Sequence, residues 1–185
     1  MLKDIYSEAE KKMETTLSVL QREFTGVRTG RASLGLLDGI TVDYYGTPTP
    51  LNQVANLSTP ETNLIQIQPW DPSVVPAVEK AVLASDLGLN PSNDGKIIRI
   101  TIPALTEERR KQLVKHVKKL AEECRVAIRN VRREANEHTK KLLKEKEISE
   151  DEEREGEDNN QKRTNSHIQD IDQLVTAKEK EILEQ

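Results

Sequence analysis

The residues with the plainest chemistry are basic: Lys118, Arg125, Arg129 and Arg132. On a helical wheel of about 100° per residue with Cys124 at zero, they fall at about 120°, 100°, 140° and 80°, which is one stripe. A guanidinium fork bonds phosphate through two parallel N–H donors, so arginines gathered on one side of a helix point to phosphate contact. The competing reading is a solvated face of ordinary charge pairs. The local charge favours the first. Thr106 to Lys146 holds fourteen Lys and Arg against seven acids, near +7 (14 minus 7), in a chain of formal net charge −4.

Catalytic constellations are missing. The sequence has no GxGxxG after a strand, no GxxxxGK[ST] loop, no HExxH and no second cysteine for a CxxC site. His116, His138 and His167 stand far apart in helical patterns; His138 is expected to pack on an apolar seam and the other two to face solvent. Ser33 and Ser149 have no neighbouring base and read as turn and cap residues. Cys124 is the single cysteine, so no intrachain disulfide is possible, and its place on the seam predicts a buried thiol. Trp70, at a strand end, reads as a core or interface aromatic rather than a base-stacking platform. No carboxylate pair is enclosed by apolar sequence, so an enzyme is not expected, nor is a metal or other cofactor.

The element that must carry the stripe is a helix over 106–146, about forty residues without proline or glycine. Leu113, Val117, Leu120, Cys124, Ala127 and Val131 recur at four and three, and Ala135, His138 and Leu142 continue the seam. Thr106 suits an N-cap, with Glu107 and Glu108 in the first turn. At 1.5 Å per residue the rod is roughly 60 Å long and needs partner helices. Leu2, Ile5, Ala9, Met13, Leu17, Leu20, Phe24 and Val27 predict one, ending near Gly26 to Gly30, where Arg28 and Arg31 flank the break. Ser149 and Glu152 have capping-box spacing for another. Its second half is patterned by Ile168, Ile171, Leu174, Val175, Ile182 and Leu183. Asp151 to His167 has no apolar side chain, and Glu147 to Asp158 is near −7 (1 minus 8). Antiparallel packing would exhaust the first helix near residue 131, so the tip is expected to fray or to be held by acids paired with Lys140, Lys141 and Lys144.

Between the helices the composition changes. Ile40, Val42 and Tyr44 alternate as in a strand, GTPTP turns the chain, and LIQIQPW sets Ile65 and Ile67 on one face. Val75, Val78, Val82 and Leu83 suggest a helix stopping before Gly88, and IIRITIP closes the unit. Strand, helix, strand reads as βαβ, so residues 31–104 form a small domain inserted in a bundle of 1–30 and 105–185. The fold class is α+β, and the two chain crossings, near Gly30 and Pro103, have the arrangement of a hinge. Hydrophobic residues at 35% and charged residues at 32% suit a helix-rich soluble protein. No run is long enough to span a membrane and the charged N-terminus is unlike a signal peptide, so a cytoplasmic protein is expected, and a monomer is expected because the seams should satisfy one another within the bundle.

RTGRASLGLLDGITVDYYGTPTPLNQVA at 28–55, VEKAVLASDLGLNPSNDG at 78–95, PALTEERRKQLVK at 103–115, RVAIRNVRREAN at 125–136 and KEISEDEER at 146–154 closely resemble the bacterial ribosome recycling factors. The resemblance implies an L of two domains, a three-helix bundle and a β/α/β sandwich, with an outline like transfer RNA. It implies a factor that binds the ribosome after peptide release and, with elongation factor G and that partner's GTP hydrolysis, splits it into subunits so that messenger and deacylated transfer RNA leave. The bundle would lie on large-subunit ribosomal RNA at the A and P sites. The implied contacts are Arg129, Arg132 and Arg133, supported by Arg28 and Arg110 and joined by Arg125 and Lys118 from the wheel. The hinge would comprise Gly30, Arg31, Pro103, Ala104, Leu105 and Thr106. Asn160 and Arg163 depart from the family, which usually has apolar residues there. A helical adaptor or a nucleotide-binding domain are the alternatives; a steep salt dependence of binding would separate RNA docking from the first.

Overall fold

The computed structural model describes residues 1–184 and divides them into two units, Met1–Thr29 with Glu107–Glu184, and Gly30–Thr106. In chain order the elements are α1 (Leu2–Thr25), β1 (Thr41–Tyr44), β2 (Thr47–Pro50), β3 (Ala55–Glu61), β4 (Leu64–Pro69), α2 (Val75–Ala84), β5 (Pro91–Asn93), β6 (Ile98–Thr101), α3 (Glu107–Lys144) and α4 (Glu150–Leu183). The fold is mixed α+β.

The first unit is α1, α3 and α4 packed together. Its core runs through Ala9, Met13, Leu20 and Phe24 of α1, Val117, Ala121, Cys124 and Ile128 of α3, and Ile171, Val175 and Ile182 of α4. At 38 residues α3 is about 57 Å long. Its buried line, Leu113, Val117, Ala121, Cys124, Ile128, Ala135 and Thr139, is turned by about 40° from the expected seam, towards the arginines. Leu120, Ala127, Val131 and Leu142 are only half-buried, and His138 is exposed. The histidine expectation therefore reverses: His167 is buried and His138 is not. A seam covered by two helices takes its centre from where both press, which one helix's periodicity does not define.

The polar start of α4 is ordered helix, not a frayed end. The Ser149 hydroxyl accepts from Glu152 N–H while the Glu152 carboxylate takes Ser149 N–H at 2.8 Å, a complete capping box. Gly156, Asn160, Thr164 and His167 form the buried line that continues into Ile171. Thr139 and Thr164 donate their hydroxyls to Ala135 O and Asn160 O, at 2.9 and 2.8 Å, which leaves their methyls for packing. The first helix also reaches further than expected. A Cβ built at Gly156 would meet Thr139 of α3 and Tyr6 and Leu2 of α1, so three helices continue to that level. Glu10 then ties α1 to α4, accepting from Arg163 Nη1 at 2.6 Å and pairing with His167 Nε2 at 2.9 Å. Of the lysines expected to pair with the acidic stretch, Lys140 meets Glu157 at 3.3 Å, while Lys141 lies 3.8 Å from Glu145, four residues on and outside that stretch.

The second unit has a four-stranded antiparallel sheet in the order β3-β4-β6-β5, a β1–β2 hairpin, and α2. Ile65 opposite Ile100 and Ile67 opposite Ile98 put four fully buried isoleucines in the core with Val42, Leu51, Val78 and Val82. The βαβ reading is corrected in one respect: the strand that follows α2 is β5, which runs parallel to β4, and IIRITIP forms β6, which is antiparallel to both. After α2 the chain enters β5 and reverses at Asp94, whose Oδ1 accepts from Lys96 and Ile97 N–H at 3.0 and 2.8 Å. That turn brings β6 back between β4 and β5. TPTP is likewise a strand, not a turn: the chain turns at Tyr45 and Gly46, with φ +50° and +85°. Positive φ at both central residues matches the twist of a two-residue hairpin, and prolines are tolerated in so short an edge pair. Trp70 is 61% exposed, so it is no core residue.

Candidate nucleic-acid interface

The periodicity of α3 gathers its arginines on one flank, and the rotation of the buried line decides how much of each remains available. Arg125 lies nearest the core. Its side chain is 21% exposed, and it donates from Nε and Nη2 to Asp172 Oδ1 of α4 at 3.2 and 2.6 Å, and from Nη1 to Glu122 Oε2 at 3.2 Å. Lys118 is more exposed but stands 3.2 Å from Glu179 of α4. Both cations from the wheel are thus paired between helices.

Arg129 is intermediate. Its Nη1 donates to Glu122 Oε1 at 3.2 Å, while its side chain stays 40% exposed. Only one donor of the guanidinium is used in this bond, so another edge faces solvent. Arg132 donates to the neutral Gln161 Oε1 at 2.8 Å, and Gln161 is itself held by donating to Asn165 Oδ1 at 2.8 Å. Arg133 is exposed. Among the described residues, neither Arg132 nor Arg133 has an ion pair, so their charge is uncompensated where that of Arg125 is cancelled.

The remaining candidates lie apart from this group in sequence. Arg28 is exposed and Arg110 half-buried, with its Nε enclosed. Gly30 has φ +77°, a conformation that costs glycine little, and Pro103 to Thr106 run outside helix and strand. Pro103 and Ala104 are exposed and Leu105 is half-buried.

Electrostatically, Arg129 and Arg125 hold the Glu122 carboxyl below its ordinary range. Burial would raise the Glu10 pKa, but hydrogen bonds from Arg163 and His167 outweigh it and the net shift is downward. The Cys124 thiol is pushed up to about 11 by burial, so it is an inert packing group. Among the described residues no cluster of His, Cys, Asp and Glu is placed to hold a metal, and no helix is long and apolar enough to cross a membrane.

Sequence reasoning missed the partners that sort the stripe: Glu122, Asp172, Glu179 and Gln161. Glu122 had a signal, its three-residue spacing from Arg125. Asp172 and Glu179 had none, because only helix packing brings α4 to that flank.

Residues 20–183 match the ribosome recycling factor family. The ribosome-recycling factor of Desulfosudis oleivorans is 58% identical over 184 residues, covering all of both chains. That of Syntrophomonas wolfei is 53% identical with the same coverage. Among solved structures, the solution structure of a ribosome recycling factor is similar with a TM-score of 0.79 and 47% identity, over 100% of this chain and 98% of the other. A chain from models of the T. thermophilus ribosome recycling factor and the E. coli elongation factor G bound to the E. coli post-termination complex is similar with a TM-score of 0.65 and 50% identity, over 99% of each.

Proposed function

The chain belongs to the ribosome recycling factor family, and from that premise we infer that it binds the post-termination ribosome and, with elongation factor G, splits it into subunits, releasing messenger and deacylated transfer RNA. GTP hydrolysis is the partner's reaction. This chain is not an enzyme; it acts as a monomer in the cytoplasm, where its ribosomal substrate is.

Arg129, Arg132 and Arg133 are the residues that dock the bundle on large-subunit ribosomal RNA. The observation that carries this choice is the uneven compensation of the stripe: the charge of Arg132 and Arg133 is left for an outside anion, and Arg129 keeps an open edge. Phosphate contacts position a protein without reading sequence, which suits docking on folded RNA. Arg125 and Lys118 serve mainly as ties between α3 and α4, and Arg28 and Arg110 remain supporting contacts. Gly30, Arg31 and Pro103 to Thr106 are the hinge, since these segments lack the hydrogen-bond ladders that stiffen helices and strands.

The test is breakdown of post-termination ribosomes into subunits, followed by sedimentation, with native chain or Arg132→Ala, elongation factor G and GTP. Splitting should require all three components and should fall with the substitution while helicity is unchanged. Full activity of a folded Arg132→Ala protein would remove the arginine from the docking role, and an inactive native chain with a competent partner would overturn the function.

A further inference from the structure

Carboxylates are built into the cationic stripe itself. Glu122 bridges Arg125 and Arg129, one oxygen to each at 3.2 Å. Asp172 takes two donors of Arg125, and Glu179 faces Lys118. Lys118, Glu122, Arg125, Asp172 and Glu179 line one groove between α3 and α4. Three cations, Lys118, Arg125 and Arg129, are therefore matched by three acids, while the next two, Arg132 and Arg133, are not.

This division has a consequence for RNA selection. Indiscriminate binding to a phosphate backbone draws its free energy from counterions released by uncompensated Lys and Arg. A cation whose counterion is the protein's own carboxylate releases none, and an arriving phosphate must first displace that carboxylate. We propose that Glu122, assisted by Asp172, is a specificity-determining residue of the docking face: it withholds Arg129 and Arg125 from arbitrary RNA. Arg132 and Arg133 make the first contacts. Arg129 joins only where a phosphate is held in position to compete with Glu122, as on a surface complementary to the bundle. The proposal rests on the docking role inferred above.

Glu122→Gln isolates the effect, because Glu122 is 55% exposed and both of its partners lie on its own helix. Binding of a labelled, unrelated RNA duplex is titrated against salt for the full native chain, Glu122→Gln, Asp172→Asn and Arg132→Ala, alongside binding to isolated large subunits. Removal of the Glu122 charge should raise affinity for the unrelated duplex several-fold at low salt. The slope of log affinity against log salt should steepen by about 0.9 for each cation set free. The preference for the large subunit over the duplex should fall, and Asp172→Asn should act in the same direction. Unchanged or weaker duplex binding by a folded Glu122→Gln protein would overturn the proposal, since it would make the carboxylate only a brace. Large-subunit binding untouched by Arg132→Ala would instead refute the docking role, and the Glu122 comparison on the duplex would still decide the present proposal.

Discussion

Gly156 is buried in the second turn of α4, with side chains of α1 and α3 against it, and its replacement by alanine sets two terms of known sign against each other. An alanine in a helix interior is favoured over glycine by about 1 kcal/mol. Against this, the new Cβ would lie 3.0 Å from Thr139 Cγ2, 3.4 Å from Tyr6 Oη and 3.7 Å from Leu2 Cδ2. Carbon atoms prefer roughly 3.5 to 4.0 Å, so Thr139 would have to yield by a few tenths of an ångström. Its freedom to do so is small: it is fully buried, β-branched, and pinned by its hydroxyl on Ala135 O at 2.9 Å. Overpacking of this kind costs about 1–3 kcal/mol, which exceeds the propensity gain, and Gly156→Ala is expected to destabilise the bundle by about 1 kcal/mol. Thr139→Ser deletes the opposing methyl and keeps the hydroxyl, at a cost of about 1 kcal/mol by itself. In that background the alanine fills the space, and Gly156→Ala should stabilise by about 1 kcal/mol. The double-mutant cycle thus carries a favourable coupling of about 2 kcal/mol, readable by urea denaturation followed by helical circular dichroism. Additive single effects, or a Gly156→Ala protein stabilised by the full helix-propensity gain, would refute the close approach of the three helices.

Two further outcomes follow from the same polar region. The pKa of Glu10 is lower folded than unfolded, so its contribution is complete above the unfolded carboxylate pKa and is lost as pH falls through the folded one. Glu10→Gln should therefore cost about 1–2 kcal/mol at neutral pH, allowing for screening of a carboxylate 32% exposed, and parent and variant should converge in acid; a gap independent of pH in denaturant titrations would contradict this. Asn160 donates to Asn136 Oδ1 at 2.9 Å, but its own Oδ1 is buried without a partner. Since an orphaned acceptor costs at least as much as one neutral hydrogen bond returns, Asn160→Leu should raise stability by about 1 kcal/mol in thermal unfolding, and a clear loss would show that the amide is better satisfied than its contacts indicate.

Much of the architecture is legible in the chain as written. Steps of three and four announce α1 and α3, Ser149 and Glu152 announce the start of α4, and the alternation in LIQIQ and IRI sets Ile65, Ile67, Ile98 and Ile100 on one buried face. These are local facts: a repeat fixes which side chains share a side, and a cap needs only its own turn. The basic stripe was equally local. What neighbours do to that stripe was not. The turning of the α3 face towards Ala121 and Ile128, the exchange of His138 for His167 in the interior and the antiparallel pairing of β4 with β6 each depend on where another element comes to rest. Burial of Asn160 and Thr164 was hidden for a related reason, because their polarity argues for solvent until Asn136 and a backbone carbonyl supply their partners. The sorting of the arginines is the case that matters for function. Sequence sets Arg125, Arg129 and Arg132 on one flank; only the packing of α4 brings Asp172 to the first and the uncharged Gln161 to the third, and the electrostatics of a cation are decided by what stands within a few ångströms of it.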